Sequence, residues 1–339
     1  MKKTIKIGLS SLIGMSALIA ADAGAAEIKQ RTIKVSYGTA ADHPFGLGVT
    51  KFAELVTKKT DGKITVRGYP AGQLGAEVPS ISSAQGGVLE MAVTSTSAVV
   101  GTVREFALFD FPYLFATEKE ADAVLDGAVG KQLLDKLPGK GLIGLCYWES
   151  GFRNLSNSKR PVTKVEDIQG LKVRTIQNPV FLDTINALGA NAVPMPFTEL
   201  YTALETKAVD GQEGPYTTIL TSKINEVQKY LTPTQHIYGA VVVLVGKKFW
   251  DQLSGDEKQI LQDSCGEARD YERTVSRELS PASLAELKAK GMVFNDIPAD
   301  ELAKMREKTK PVVDKYTKDV GDNLVTQARA EIEKVRQQR

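Results

Sequence analysis

The chain has 339 residues, with 43 lysines and arginines against 41 aspartates and glutamates. Three lysines within the first six residues precede an apolar run over 7–20, and small residues follow it up to position 26. This pattern predicts a secretory signal peptide over residues 1–26, because the run is too short for a membrane span. Without the three lysines and one aspartate of that segment the chain is formally neutral, which argues against nucleic acid or an anionic membrane as a partner. We therefore expect an exported protein with no direct membrane insertion after processing.

The rest of the chain is long enough for two domains. Its first part alternates strands and helices, which is the pattern of a parallel sheet. Ligands of such sheets bind beyond the carboxyl ends of the strands, and the third strand ends in the hydroxyl cluster Thr94–Ser97. The predicted elements are a strand over 31–38, a helix over 45–60, a strand over 63–69, a helix over 77–85 and a strand over 89–93.

A second unit of the same kind follows. It opens with a buried strand over 141–148 that leads into a turn over 149–153. Two such units in one chain imply two lobes with a cleft between them. The further predicted elements are a strand over 170–174, a helix over 179–188, a strand over 189–193, a helix over 199–206, a strand over 209–215 and a strand over 236–245.

The last part of the chain has helical composition. The segment 254–290, interrupted only by Pro281, predicts a helix more than twice the mean length, which must span both lobes. Residues 296–339 predict a surface helix with a frayed end. We expect lobe I to comprise residues 27–150 and 239–280, lobe II residues 151–238 and 281–325, and a C-terminal tail residues 326–339.

Two arginines lie at the ends of apolar runs in the second unit. Arg153 follows the first of these runs, and Arg174 ends the next one, shortly before Asn178 and Pro179, which suit the cap and first turn of a helix. A guanidinium beside a helix N-terminus makes a carboxylate receptor, because its planar fork matches both oxygens. Each arginine could instead pair with a structural acidic residue, and spacing alone leaves both interpretations open.

The sequence carries no motif of a common catalytic or metal site. His43 and His236 are the only histidines and lie in separate regions. Zinc-protease, paired-cysteine, phosphate-loop and serine-hydrolase strings do not occur. The sequence therefore predicts no catalytic residue, no metal and no cofactor.

The two cysteines are Cys146, inside an apolar strand, and Cys265, inside a polar helix. Buried cysteine commonly behaves as a small hydrophobic residue, so we expect two unpaired thiols. An oxidising compartment keeps a disulfide open as the alternative.

Ordered strings in the middle of the chain resemble those of a known family. They are W-E-S-G-F-R-N-L-S-N-S-K-R-P-V from Trp148, E-D-I-Q-G-L-K-V-R ending at Arg174, P-M-P-F-T-E-L-Y-T-A-L from Pro194 and V-D-G-Q-E-G-P from Val209. The chain strongly resembles the solute-binding proteins of tripartite ATP-independent periplasmic (TRAP) transporters. The resemblance implies an α/β fold of two lobes, each with a mixed or parallel sheet flanked by helices, joined by crossing strands and braced by a long helix. It also implies a periplasmic protein that closes on an organic acid, delivers it to the membrane subunits of a sodium-driven TRAP permease and catalyses no reaction.

The resemblance implies roles for single residues. Arg174 looks like the arginine that clamps the carboxylate, and Arg153 looks like a second basic contact. Glu77 and Ser95 match positions that face the ligand from the first lobe.

Other matches lie in the second lobe and on the rear wall of the site. They are Gln177, Phe197 and Gln212. Glu213 with His236 resembles a buried polar network behind the ligand.

The identity of the acid depends on a few positions. Gly214 departs from the pattern, since many relatives carry Asn there, and the missing amide enlarges the pocket. Asn178 adds a polar group that a wrong ligand would leave unpaired, and Glu77 would repel a second carboxylate but accept hydroxyls. We therefore favour a hydroxylated monocarboxylate such as a uronate or aldonate.

Alternatives remain open. An apolar slot for an aromatic or branched acid could be lined by Trp148, Phe181, Phe197 and Tyr216, although core packing is at least as good an interpretation of Phe181 and Tyr216. A periplasmic lyase acting on organic acids, and an ABC-type binding protein or receptor-coupled sensor, are the other classes.

Overall fold

The computed structural model describes Met1 and residues 28–338, so the expected signal peptide lies outside the described residues apart from Met1. Two mixed sheets carry the fold, which confirms the predicted fold class. The strands are β1 (Arg31–Ser36), β2 (Ile64–Tyr69), β3 (Met91–Ser95), β4 (Leu142–Phe152), β5 (Asn154–Asn157), β6 (Lys172–Thr175), β7 (Asn191–Pro194), β8 (Gly211–Gly214), β9 (Tyr230–Thr232), β10 (Tyr238–Gly246) and β11 (Val293–Phe294).

Helices flank both sheets. None of those in the described part of the chain combines the length and apolarity needed to cross a bilayer. The helices are α1 (Pro44–Lys59), α2 (Glu77–Gly86), α3 (Thr96–Val99), α4 (Glu118–Leu125), α5 (Ala128–Leu134), α6 (Pro179–Ala187), α7 (Leu200–Glu205), α8 (Tyr216–Thr221), α9 (Lys247–Trp250), α10 (Gly255–Ala289), α11 (Ala299–Val320) and α12 (Asp322–Gln337).

The two sheets define the two lobes. In lobe I the strand order is β2-β1-β3-β10-β4, with β1 parallel to β2 and β3 and with β10 antiparallel to β3 and β4. In lobe II the order is β11-β9-β5-β8-β6-β7, with β6 parallel to β7 and β8. β5 pairs antiparallel with both β8 and β9. Each lobe therefore has parallel strands whose carboxyl ends can face a shared cleft.

Two connections between strands cross from one lobe to the other. β4 of lobe I leads into β5 of lobe II through Arg153 alone, and β9 of lobe II returns to β10 of lobe I through residues 233–237. The two crossings are bonded to each other, because the backbone N–H of Arg153 donates to the Ile237 carbonyl at 2.9 Å. The two crossings therefore lie side by side between the lobes.

The turn expected over residues 149–153 is wrong, because β4 continues to Phe152. The strand bends without ending. Its pairing with β10 shifts register so that Ser150 has no partner, and Gly151 adopts a φ of +90°, which glycine tolerates because it has no Cβ.

The long helix predicted over 254–290 is confirmed as α10, which has 35 residues. A capping box begins it: the Ser254 hydroxyl accepts from the Glu257 N–H, and the Glu257 carboxylate accepts from the Ser254 N–H. At about 1.5 Å per residue this helix extends about 50 Å. It packs on α1 and β4 of lobe I and on α8 of lobe II.

The carboxylate of Glu149 fixes this helix to the crossing strands. It accepts from the Tyr238 hydroxyl on β10 at 2.6 Å and from Arg277 of α10 at 2.7 Å. Arg277 also donates to both oxygens of Asp122 on α4. The chain is therefore anchored immediately before the bulge at Ser150.

The helical character predicted over 296–339 is confirmed by α11 and α12, but the tail expected over 326–339 is wrong, because α12 continues to Gln337. One face of α12 packs in the same apolar cluster as α4 and α5, and Arg336 pairs with Glu120 of α4 at 3.1 Å. The helical spacing of the apolar residues on that face was the available sequence signal. These residues are Leu324, Val325, Ala328 and Ile332.

The expectation of two unpaired thiols is also wrong. Cys146 on β4 faces α10, and a disulfide joins it to Cys265, with Cα atoms 6.0 Å apart and a sequence separation of 119. The sequence could not show this pairing, because it depends on the packing of a helix and a strand that are distant along the chain.

Removing this disulfide is expected to destabilise the protein. The double variant Cys146→Ala/Cys265→Ala should lose about 2–4 kcal/mol of unfolding free energy, because the bond closes a long loop in the unfolded chain. Urea denaturation of the oxidised protein and the variant measures the difference. A thiol assay on the unfolded, unreduced protein is the direct check, and two reactive thiols per chain would contradict the assignment.

Candidate functional site

A cavity, partly open to solvent, lies between the lobes. It sits at the carboxyl ends of β1, β3, β6 and β8, where ligands of such sheets bind. It is lined by Gly38, Thr39, Phe45, Glu77, Ser95, Ser97, Ser150, Arg153, Arg174, Ile176, Phe181, Phe197, Gln212, Glu213, Gly214, Thr218, Gly239 and Ala240.

Arg174 lies on the lobe II wall of the cavity. Its strand, β6, is the central member of three parallel strands, so the residue is aligned with Val193 on one side and Gln212 on the other. The side chain is only 2 % exposed. Its Nε and Nη2 both donate to the Met195 carbonyl, at 3.0 and 2.7 Å, and its Nη1 makes no hydrogen bond within the described residues.

The charge of Arg174 has no salt bridge within residues 28–338. Burial lowers the pKa of its guanidinium to about 10, although the carboxylates of Glu213 and Glu77 act in the opposite direction. The group is therefore still cationic at neutral pH. The Phe197 ring lies 5.7 Å from its central carbon and forms an adjoining wall of the cavity.

Arg153 also lines the cavity, but its charge is paired. Its Nη2 donates to the carboxylate and to the carbonyl of Glu213, at 2.9 and 2.8 Å, and its Nε donates to the second carboxylate oxygen. The Phe181 ring lies 5.3 Å from its central carbon. Of the two interpretations left open for the arginines, structural pairing therefore applies to Arg153, and its ligand contact stays a prediction.

Glu213 and His236 form the rear polar group that the resemblance implies. Burial would raise the pKa of Glu213, but the charge of Arg153 and hydrogen bonds hold it below its usual value. The Nε2 of His236 lies 3.4 Å from the Glu213 carboxylate, and its Nδ1 lies 2.8 Å from the Thr234 hydroxyl. Because these neighbours keep the Glu213 carboxylate ionised and hold it in place, it is unsuited to act as a general base.

Glu77 presents a carboxylate from lobe I. It is the first residue of α2, and its Oε1 accepts from the Thr94 hydroxyl at 3.0 Å and from the Ser95 N–H at 2.8 Å. Its Oε2 forms no hydrogen bond within the described residues. The side chain is thus held in place by β3 while one oxygen stays free to accept a bond across the cavity.

Gln212 and Gly214 line the cavity from β8. The Gln212 Nε2 donates to the Ser156 hydroxyl at 2.9 Å, which fixes the amide. A Cβ at Gly214 would lie 3.0 Å from the Gln212 Oε1. A larger residue would therefore disturb this amide, so the glycine both preserves it and leaves room for a ligand.

Three predicted ligand contacts do not line this cavity. Trp148 is 1 % exposed and packs over Gly48, whose missing side chain makes room for the indole. Asn178 caps α6 as predicted, with its Oδ1 accepting from the Val180 N–H at 2.8 Å, but its amide is used within the protein. Gln177 is exposed and lines a smaller recess beside Arg174.

The Asn178 amide bonds the lobes together. Its Nδ2 donates to the Ser97 carbonyl at 3.0 Å and to Asp110 at 2.9 Å, both in lobe I. Burial raises the pKa of Asp110 to about 7. A second such bond joins the His43 Nε2 to the Thr218 hydroxyl at 3.0 Å, and burial keeps this histidine neutral by lowering its pKa to about 3.

Sequence reasoning missed much of the lining. Most of these residues are small or apolar and come from strand ends and crossing strands, where no motif distinguishes them from core. A hydroxyl side chain just after a predicted strand is the one usable sequence signal for the lining. It indicates Ser95 for β3, and it would also indicate Thr39 for β1. The residues missed are Gly38, Thr39, Phe45, Ser150, Ile176, Thr218, Gly239 and Ala240.

Residues 35–319 match the family model described as bacterial extracellular solute-binding protein, family 7. The chain is similar to the C4-dicarboxylate-binding periplasmic protein DctP of Rhodobacter capsulatus, with 36 % identity over 95 % of this chain and 97 % of that one. It is similar to the solved sugar acid binding protein DctPAm of Advenella mimigardefordensis in complex with galactonate, with 46 % identity, a TM-score of 0.89 and coverage of 91 % of this chain and 99 % of that one. It also resembles a TRAP periplasmic solute binding protein of Polaromonas bound to D-erythronate, with 35 % identity, a TM-score of 0.85 and coverage of 88 % and 98 %.

The two arginines are expected to contribute unequally to stability. Arg153→Met should lower the unfolding free energy by about 3–5 kcal/mol, because it leaves the buried Glu213 charge unpaired. Arg174→Met should lower it by no more than about 1 kcal/mol, because the lost hydrogen bonds are offset by removal of a buried, unpaired charge. Urea denaturation of ligand-free protein at pH 7 measures both. Equal losses would contradict this description of the site.

Proposed function

Because the chain belongs to family 7 of the bacterial extracellular solute-binding proteins, we propose that it captures a hydroxylated monocarboxylate, such as an aldonate or uronate, by lobe closure. It delivers this solute to a sodium-driven TRAP permease. The protein acts in the periplasm, in keeping with its family and with the signal peptide expected over residues 1–26.

The observation that carries this proposal is the buried, unpaired guanidinium of Arg174. A cation taken out of water without a counter-ion favours any arrangement that brings an anion to it. Arg174 lines the cavity and its Nη1 has no hydrogen bond within the described residues, while the Met195 carbonyl holds the rest of the group in place. The carboxylate of the solute is the partner that this geometry fits.

Glu77 decides between one carboxylate and two. Its free oxygen accepts hydrogen bonds, and its charge repels a second carboxylate entering lobe I. The relatives include one named for C4-dicarboxylates and two with a bound hydroxylated monocarboxylate, galactonate or D-erythronate. The position of Glu77 favours the second kind of solute for this chain, and Gly214 leaves room for its length.

Closure requires two bodies that move about the crossing strands. We take lobe I as residues 28–150 and 239–280 together with α12, and lobe II as residues 151–238 and 281–320. The bulge at Ser150 and the left-handed Gly151 supply the local freedom, while Glu149 keeps the adjacent strand fixed to α10. A solute that contacts both lobes binds the closed form better and so shifts the population toward it.

The lining supports binding rather than turnover. Both of its carboxylates are engaged, Glu213 by Arg153 and Glu77 by the Ser95 N–H. Neither is placed as a free base. If purified protein converted a bound acid to a product, as followed by NMR, the lyase alternative would replace this proposal.

Replacing Arg174 is expected to remove most of the affinity for the acid. Titration calorimetry with galactonate should show binding weakened at least about ten-fold in Arg174→Lys and further in Arg174→Ala, because one charge-assisted bond contributes roughly 1.5–3 kcal/mol. Arg104→Lys, at an exposed position of lobe I, is the matched control and should leave affinity unchanged. An unchanged dissociation constant in both Arg174 variants would contradict the assignment of Arg174 as the carboxylate-binding residue.

A further inference from the structure

The lobe I wall of the cavity carries hydroxyl groups whose hydrogen-bonding capacity is unused. The Thr39 Oγ1 and Ser95 Oγ are buried and have no hydrogen-bond partner within the described residues. Thr39 as a whole is 8 % exposed. Both residues line the cavity, whereas the neighbouring Ser97 hydroxyl is satisfied by Asp110 at 2.6 Å.

The fold brings these two hydroxyls to one edge of the sheet. β1 and β3 are parallel neighbours, with Ser36 aligned with Ala92. Thr39, just after the end of β1, and Ser95, the last residue of β3, each lie three residues beyond that pair, so both are at the carboxyl edge of the sheet.

Both positions are held by their backbones. The Thr39 carbonyl accepts from the Ala71 N–H at 2.8 Å, and the Ser95 N–H donates to Glu77 at 2.8 Å. The hydroxyls are therefore preorganised rather than carried on loose loops.

The chemistry of this wall differs from that of lobe II. The lobe I lining contains hydroxyls, apolar groups and the carboxylate of Glu77, and no lysine, arginine or histidine among the lining residues. Leaving a buried hydroxyl unpaired costs free energy, so such groups are favoured where a ligand supplies the partner. An alcohol both donates and accepts and carries no charge, so it satisfies the Thr39 and Ser95 hydroxyls and the free Glu77 oxygen together.

We propose that Thr39, together with Ser95, forms a hydroxyl-recognition subsite that pairs with alcohol groups on the carbon chain of the acid, remote from its carboxylate. This inference rests on the proposed function and adds a specificity-determining residue to it. Arg174 selects an acid, and the Thr39–Ser95 subsite selects a polyhydroxylated one. An acid without those alcohols would leave both buried hydroxyls unpaired.

The test compares two acids in two variants by titration calorimetry. Galactonate carries the full set of alcohols, whereas 2-hydroxyhexanoate keeps the carboxylate and the first alcohol only. Thr39→Val removes the hydroxyl at nearly constant shape. It should weaken the binding of galactonate about ten-fold or more, while the affinity for 2-hydroxyhexanoate should stay within about two-fold of the wild-type value. Thr39→Ser, which restores a hydroxyl, should recover most of the galactonate affinity.

Thr32→Val, at an exposed position of β1, is the control and should change neither affinity. Thermal unfolding checks the fold, and Thr39→Val should match the wild type because its hydroxyl has no protein partner. If Thr39→Val weakened the binding of both acids equally, or of neither, the proposed subsite would be wrong while the proposed function would stand. Failure of the wild type to bind any hydroxy acid would instead overturn the proposed function and the subsite with it.

Discussion

Burying the guanidinium of Arg174 without a counter-ion costs free energy that the rest of the fold must offset. The fold holds the group on the central strand of a parallel triplet and supports it with a single carbonyl, that of Met195. Within the described residues no carboxylate forms a salt bridge with it, because Glu213, whose charge acts on it, is paired with Arg153. We propose that this unpaired charge makes the site a receptor for an anion.

The residues around Arg174 leave its guanidinium without a counter-ion among the described residues. Arg153 and Glu213 pair with each other at the rear wall, so the Glu213 carboxylate does not form an ion pair with Arg174. Glu77 stays in lobe I because β3 holds one of its oxygens. Behind the cavity, Glu149 links both crossing strands to the long helix, one residue before the bulge at Ser150. We propose that the lobes close about this bulge as rigid bodies, without rearranging the binding groups.

The sequence predicted most of the elements, because apolar periodicity and capping residues are local. It placed Arg174, Glu77 and Phe197 at the cavity through the family strings, and it predicted the Asn178 cap and the long helix. It failed where the answer depended on distant packing. Whether Arg153 is paired, whether Cys146 meets Cys265 and whether Trp148 faces the core are set by contacts between segments far apart in the chain. Thr39 was not predicted, because a single hydroxyl side chain after a strand commonly bonds to nearby backbone groups instead.

The central claim is that the protein leaves the Arg174 guanidinium free for the carboxylate of its solute. A crystal structure of the complex with galactonate measures this directly. The account predicts a carboxylate oxygen within hydrogen-bond distance of the Arg174 Nη1, with the carbon chain running toward Glu77 and lobe I. A carboxylate bound elsewhere, with Arg174 still contacting only the Met195 carbonyl, would contradict it.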